Sequence, residues 1–214
     1  VRHAREQIAQ TLGTGPEEIF FTSGGTESDN WALKGIAQSL GTKGHHLITT
    51  KIEHPAVLES CAFLEKNGYE ITYLDVDSRG QISLPQLEEA IRPDTILISV
   101  MYANNEIGTV EPVRQIAETA HRHGILFHTD AVQAYGQIPI STQEDGIDLL
   151  SASGHKFYGP KGTGFLYVRK GIAMERFMHG GSQERGRRAG TENVPGIVGI
   201  GMAAELAGAS LDAR

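Results

Sequence analysis

The sequence predicts an α/β fold of three layers, a mostly parallel seven-stranded sheet with helices on both faces. Three observations carry that prediction. Seven short runs rich in β-branched and aromatic residues alternate with amphipathic segments long enough for helices, and strands joined by helix-length crossovers pair in parallel and need cover on both faces. Prolines stand at the starts of several helical segments and glycines at their ends, where a missing N–H or a left-handed backbone costs least. No repeat, low-complexity tract or linker-like stretch interrupts the alternation, so one layered unit accounts for nearly all of the chain.

The chain opens in helical rhythm with VRHAREQIAQTLG, where Ile8 and Leu12 share a face and Gly13 is a candidate C-cap. The predicted strands are EIFFTS (18–23), HLITT (46–50), YEITYL (69–74), TILISVM (95–101), ILFHTD (125–130), LLSAS (149–153) and GFLYV (164–168). Between them, TESDNWALKGIAQSL, PAVLESCAFLEKNG, LPQLEEAI and PVRQIAETAHRHG read as helices. Pro55, Pro85 and Pro112 fall at their starts, and Gly68 and Gly124 close two of them. VPGIVGIGMAAELAGASLDAR at the far end is again helical. Both ends read as cuts through a larger protein, so residues 1–214 are expected to be a truncated large domain, with an N-terminal segment and a C-terminal small domain outside them.

A formal net charge of -7 and the lack of a long Lys/Arg run argue against nucleic acid as the partner. The single cysteine, Cys61, rules out an intramolecular disulfide or a Cys-based zinc cluster and favours a reducing, cytoplasmic compartment. No uninterrupted apolar run approaches a membrane span or a secretory signal.

In parallel sheets ligands collect at the carboxyl ends of the strands. Here EIFFTS leads into Gly24, Gly25 and Thr26, and HLITT into Glu53 and His54. TILISVM leads into Asn104, Asn105 and Glu106, ILFHTD ends on Asp130 with Gln133 close behind, and LLSAS leads into His155 and Lys156. Alone, Gly24-Gly25-Thr26 suits a phosphate at a helix N-terminus or a tight turn with Thr26 as N-cap, and Asp130 suits a helix cap. GHKFYG (154–159) begins like a nucleotide phosphate loop, but Pro160 interrupts between Gly159 and Lys161, where that motif requires Gly-Lys-Ser/Thr. Ser153 to Lys156 is formally S-x-x-K and Ser28-Asp29-Asn30 is S-D-N, yet their order is the reverse of that in penicillin-recognising serine enzymes, and residues 161–163 read K-G-T, not K-T-G. His128 and Asp130 have the spacing of two metal ligands, with His121, His123 and His155 as further donors. His121 and His123 instead fit the end of a helix, where positive charge suits the dipole, and no metal is expected.

Pyridoxal 5′-phosphate accounts for these groups together. It needs a lysine for a Schiff base, an acid at its pyridine nitrogen, a donor to its ring oxygen, an aromatic face and a phosphate cup. Lys156, Asp130, Gln133 or Asn105, His54, and Gly25 with Thr26 supply those parts.

The motifs FTSGGTESDNWALKG, TKIEHPAVLE, NNEIGTVEP, FHTDAVQAYG, SGHKFYGPKGTGFLYVR and GGSQERGRRAGTEN, in this order, resemble cysteine desulfurases of the NifS/IscS type, fold-type I pyridoxal-phosphate enzymes of aminotransferase class V. The resemblance covers essentially the whole chain. It implies Lys156 as the covalent cofactor lysine and Asp130 as partner of the pyridine nitrogen. Gln133 bonds the ring oxygen, and His54 stacks on the ring and takes part in proton transfer. Thr26, Ser153, His155 and the Gly25 N–H hold the phosphate, Asn105 orients the substrate, and Thr191 reaches a partner subunit's phosphate in a homodimer. The implied substrate is L-cysteine. Its sulfur passes through an enzyme persulfide to an acceptor or scaffold protein, for iron–sulfur cluster or thio-cofactor assembly. Gly25 stands where the family usually has Ala, and Ala189 where it has Ser. The family's nucleophilic cysteine and its carboxylate-binding arginine are expected beyond this stretch, because Cys61 sits in an apolar helical pattern. Lys161 becomes a loop residue. A selenocysteine lyase or aminotransferase of the same class, or a non-catalytic dimerising scaffold, stays open at this point.

Overall fold

The computed structural model describes residues 1–212. Its strands are β1 (Ile19–Thr22), β2 (His46–Thr50), β3 (Glu70–Leu74), β4 (Thr95–Ser99), β5 (Leu126–Asp130), β6 (Leu149–Ser153) and β7 (Gly164–Val168). They form one seven-stranded sheet in the order β1-β7-β6-β5-β4-β2-β3. Neighbours from β3 to β6 run parallel, while β7 runs antiparallel to both β6 and β1. The three-layer fold expected from the sequence is the fold observed.

The helices are α1 (Arg2–Leu12), α2 (Gly25–Leu40), α3 (Pro55–Lys66), α4 (Leu84–Ala90), α5 (Val113–Arg122) and α6 (Val194–Asp212). On one face, Trp31, Ile36, Val57 and Leu64 of α2 and α3 pack on Phe20, Leu47, Leu97 and Leu149. On the other, Ile8, Leu87, Ile116 and Ile200 of α1, α4, α5 and α6 pack on Phe21, Ile48, Ile98 and Leu150. Adjacent strand residues thus serve opposite cores, as period-2 side-chain alternation requires of strands buried on both sides.

Several boundaries move in informative ways. Gly24 is the N-cap of α2, so Thr26 lies inside the first turn and does not cap it. Pro55 opens α3 and Pro85 is the second residue of α4, but Pro112 precedes α5 as its N-cap, with ψ of 64°. Gly13 and Gly124 end α1 and α5 with φ of 66° and 69°, the left-handed region that glycine enters at least cost.

One helix is more apolar than its uninterrupted runs suggest. Val194–Leu211 of α6 has a mean hydropathy of 1.5 over 18 residues, enough by length and composition to cross a membrane. Counting uninterrupted apolar runs misses it, because Gly, Ser and Glu205 break the run without lowering the mean much. In this fold α6 lies against α1, with Gly201 so close to Ala4 that a Cβ there would come within 2.6 Å of the Ala4 Cα.

On the α2/α3 face, side chains change character toward the carboxyl ends of the strands. Leu97, Leu126 and Leu149 give way to Ser99, His128 and Ser151, and these to Met101, Asp130 and Ser153. Beside them Glu53, just after β2, accepts hydrogen bonds from the Met101 N–H and the Thr50 hydroxyl at 2.9 Å each. It ties β2 to the end of β4 where the strand order reverses. Its other oxygen is buried without a partner.

Two outcomes follow for stability. Trp31 is fully buried, meets Phe20 edge to face with centroids 5.6 Å apart and donates its indole N–H to Glu175. Trp31→Ala is expected to cost about 3–5 kcal/mol, measured by urea unfolding followed by circular dichroism, since the substitution removes the sole tryptophan. Burial pushes the Glu53 carboxyl up from 4.5 to about 8, only partly offset by its Met101 hydrogen bond. The native state therefore holds a proton that the unfolded chain releases, and stability falls as pH rises through that window. Glu53→Gln mimics the protonated acid. Its stability relative to the wild type is expected to rise between pH 5 and 8 and to level off above.

Candidate functional site

A cavity of about 210 Å3 lies at the carboxyl end of the sheet, between the start of α2, His54 ahead of α3, and the loops after β4, β5 and β6. Gly25, Thr26, His54, Asn105, Asp130, Gln133, Ser153, His155 and Lys156 all line it. Thr191 does not. It is exposed in a separate cleft with Ser23, Arg188 and Glu192. A larger cleft of about 420 Å3 between α1, α6 and the Tyr135–Ile140 loop is lined by Glu205 and otherwise by uncharged residues. Size alone would point to a third cleft, of about 550 Å3 beside Tyr167 and Arg169, but the convergence of acids, bases and hydroxyls points to the smallest of the three.

Each group is presented by its local fold. The N-terminus of α2 reaches the cavity because glycine lets it sit against the sheet. A Cβ on Gly164 would stand 2.6 Å from the Gly24 Cα, and one on Gly25 would stand 2.5 Å from Val132 Cγ2. Gly25 is therefore more than a tolerated departure, since here Val132 fills the space that an alanine methyl would need. After β6 the chain makes one short turn, Gly154–Phe157, ended by Tyr158 at φ 66°. Phe157 anchors that turn against Tyr135, with centroids 4.8 Å apart, and Gln137 donates to the Lys156 carbonyl. Lys156 and Asp130 thus project from the ends of adjacent parallel strands. In the next loop, Asn104 is buried, accepts from the N–H groups of Glu106 and Ile107 and donates to the Ile52 carbonyl, which leaves Asn105 exposed at the cavity.

The electrostatics divide the cavity. At one end the Ser153 hydroxyl and His155 Nδ1 are 3.0 Å apart beside the α2 N-terminus, an arrangement suited to an anion. Desolvation, then the Lys156 and Lys161 charges, hold His155 below the ordinary histidine range. At the other end Asp130 is buried and accepts the Val132 N–H at 2.9 Å. Burial holds its pKa above the usual carboxylate range, partly offset by that hydrogen bond, His54 and Lys156. His54 caps α3 by accepting the Ala56 N–H on Nδ1 at 3.1 Å, so in the neutral ring the proton sits on Nε2. The set offers an anion cup, a buried carboxylate and a lysine amine within one enclosure.

Sequence reasoning missed Asp29, which also lines the cavity, along with the apolar Met101, Ala103 and Val132. Asp29 is buried on the apolar stripe of α2 with Gly25, Ala32 and Ile36. An acid inside such a stripe was the available signal. The histidines weighed as metal ligands are dispersed: His121 pairs with Asp148, His123 with Glu88, and both ring nitrogens of His128 meet serine hydroxyls. Among the described residues, the trio whose ligand atoms come together is Asp29, His54 and Asp130, inside the cavity itself. Cys61 is buried in the α2/α3 core, where desolvation pushes its thiol up to about 12. Lys161 is exposed in the loop before β7.

The profile of the aminotransferase class-V family matches residues 1–214. A protein named cysteine desulfurase IscS from Methanosarcina thermophila is 60% identical over 209 residues, covering 98% of this chain and 52% of its own length. The chain thus spans about half the length of the curated relatives it matches. Among solved structures, a NifS-like protein superposes with a TM-score of 0.96 at 47% identity, over 99% of this chain and 59% of its own. One described as SspA in complex with cysteine superposes with a TM-score of 0.92 at 50% identity, over 95% and 59%. With the sheet order, the cavity and these likenesses in agreement, the chain belongs to the aminotransferase class-V family.

Proposed function

We propose that this chain is the cofactor-binding domain of a cysteine desulfurase, a cytoplasmic homodimer that binds pyridoxal phosphate and removes sulfur from L-cysteine to give L-alanine. The observation that carries the proposal is the convergence of Lys156, Asp130 and the Gly25, Ser153 and His155 cup on one cavity. The residues fit the group. A bare glycine at the helix N-terminus, two hydroxyls and a histidine suit a phosphate, and a buried carboxylate suits a protonated ring nitrogen. The names of relatives and the cysteine complex of a structural neighbour support the substrate.

Bound there, pyridoxal phosphate supplies an electron sink for charge that develops at the substrate Cα. The Lys156 amine holds it covalently. The Gly25 N–H with the Thr26, Ser153 and His155 side chains binds its phosphate, Asp130 keeps its ring nitrogen protonated and Gln133 donates to its ring oxygen. His54 Nε2, the nitrogen not engaged by α3, is the atom that can carry and release a proton beside the ring. Asn105 orients the substrate. Thr191 is exposed and outside the cavity; in the proposed homodimer it would reach the partner subunit's phosphate. The thiol that accepts sulfur is not Cys61, whose burial denies it both thiolate character and access. A cysteine elsewhere in the whole enzyme would take the sulfur and pass it to an acceptor or scaffold protein for iron–sulfur cluster or thio-cofactor assembly.

Borohydride reduction after incubation with pyridoxal phosphate tests the reading directly. The label is expected on Lys156 by peptide mapping and absent from Lys156→Ala; an unlabelled wild type, or a label spread over surface lysines, would reject it. Cys61 is expected to react with a thiol reagent in the native chain only as fast as the chain opens, and at once in urea.

A further inference from the structure

Beneath the cavity lies a second carboxylate that the proposed chemistry leaves unused. Asp29 is 1% exposed, one of its oxygens has no hydrogen-bond partner, and that oxygen stands 3.7 Å from Nε2 of a fully buried histidine, His128. An oxygen of Asp29, an oxygen of Asp130 and a ring nitrogen of His54 lie within 4.8 Å of one another. Such a spacing admits a direct hydrogen bond after a small side-chain adjustment, or one bridging water. Two desolvated carboxyls this close do not both ionise readily.

The surroundings decide which one keeps the proton. Asp130 accepts the Val132 N–H and faces His54 and Lys156, all of which favour its anion. Asp29 faces Asp130 and Glu53, two further acids, and the nearby Ser151 hydroxyl is the one group that favours its anion. His128 brings no charge to help, because burial holds its ring down to about 3 and both its nitrogens are engaged, by Ser99 at 2.8 Å and Ser151 at 3.0 Å. Desolvation, reinforced by Asp130, pushes Asp29 well above the usual carboxyl range. Pairs of carboxyls whose environments differ in this way sort into one acid and one anion.

We propose that Asp29 is a positioning residue, a buried carboxylic acid that donates a hydrogen bond toward the Asp130 carboxylate and so holds it aimed into the cavity as the anion that meets the ring nitrogen. The inference rests on the pyridoxal-phosphate reading for its purpose, though not for the protonation of Asp29 itself. A neutral donor beneath Asp130 fixes its orientation without adding a second negative charge. An ionised Asp29 would repel Asp130 and push the proton onto it, leaving no anion for the ring nitrogen. Asparagine, which keeps both the shape and the donor, should therefore replace Asp29 well, whereas leucine should not.

Two measurements on the 214-residue chain test this, one with cofactor and one without. In the apo protein at neutral pH, infrared difference spectra between the wild type and Asp29→Asn should show the C=O stretch of a protonated carboxylic acid, lost in the variant. In titrations with pyridoxal phosphate, Asp29→Asn should bind within about twofold of the wild type and Asp29→Leu roughly tenfold or more weakly, the effect of losing a hydrogen bond to a charged group. Circular dichroism establishes that both variants are folded. An absent carboxylic-acid band, or an Asn variant that binds as weakly as Leu, overturns the proposal. A wild type that shows the band but takes up no cofactor leaves the protonation standing and overturns the cofactor reading instead.

Discussion

The cavity depends on carboxylates held out of water at the ends of parallel strands. Asp29, Glu53 and Asp130 are each at most 5% exposed, and they come from three different elements: α2, the loop after β2, and β5. Burying one ionised carboxylate is expensive, and burying three side by side without cations is prohibitive. The fold answers by giving each a different hydrogen-bonding set. Glu53 takes a backbone N–H from the end of β4, Asp130 takes one from its own loop, and Asp29 has the nearby Ser151 hydroxyl of β6. Protonation differs accordingly, and the cavity inherits one acid end.

The opposite end depends on close approach. The first turn of α2 can direct its free N–H groups into the cavity only by lying against β6 and β7, and the contacts at Gly25 and Gly164 leave no room for side chains there. The same helix carries Asp29 one turn on and Trp31 in the core beyond it. One rigid element therefore sets the distance between the anion cup and the buried acids, and Trp31, through its packing on Phe20 and its bond to Glu175, fixes the depth at which that helix sits.

Much of this was legible in the sequence because it obeys local rules. Alternating period and turn chemistry located all seven strands to within a residue or two. The rule that ligands gather at strand ends then selected His54, Asn105, Asp130, His155 and Lys156. Features set by packing were not legible. Asp29 was noticed only as part of an S-D-N string, since its meaning depends on what lies under α2. Thr26 looked like a cap because nothing in the chain shows that Gly24 already fills that role. The long apolar character of α6 was hidden by small residues, whose purpose, close contact with Ala4 and Thr11 of α1, appears only when the two ends of the chain are brought together.

The division of labour in the cavity also explains why a strongly buried cysteine is compatible with the sulfur chemistry proposed above. A sulfur-accepting thiol must be a thiolate, mobile and accessible, whereas the groups assembled here must be rigid, and those at the acid end dry. Cys61 shares the dry α2/α3 core with Trp31 and Leu64, where a thiolate is disfavoured for the same reason that Asp29 is held as an acid. Rigidity and desolvation suit the holding of a cofactor; they are the wrong conditions for a nucleophile that has to travel. On the proposed reading, a fold that meets the first demand this fully leaves the second to a thiol outside its core.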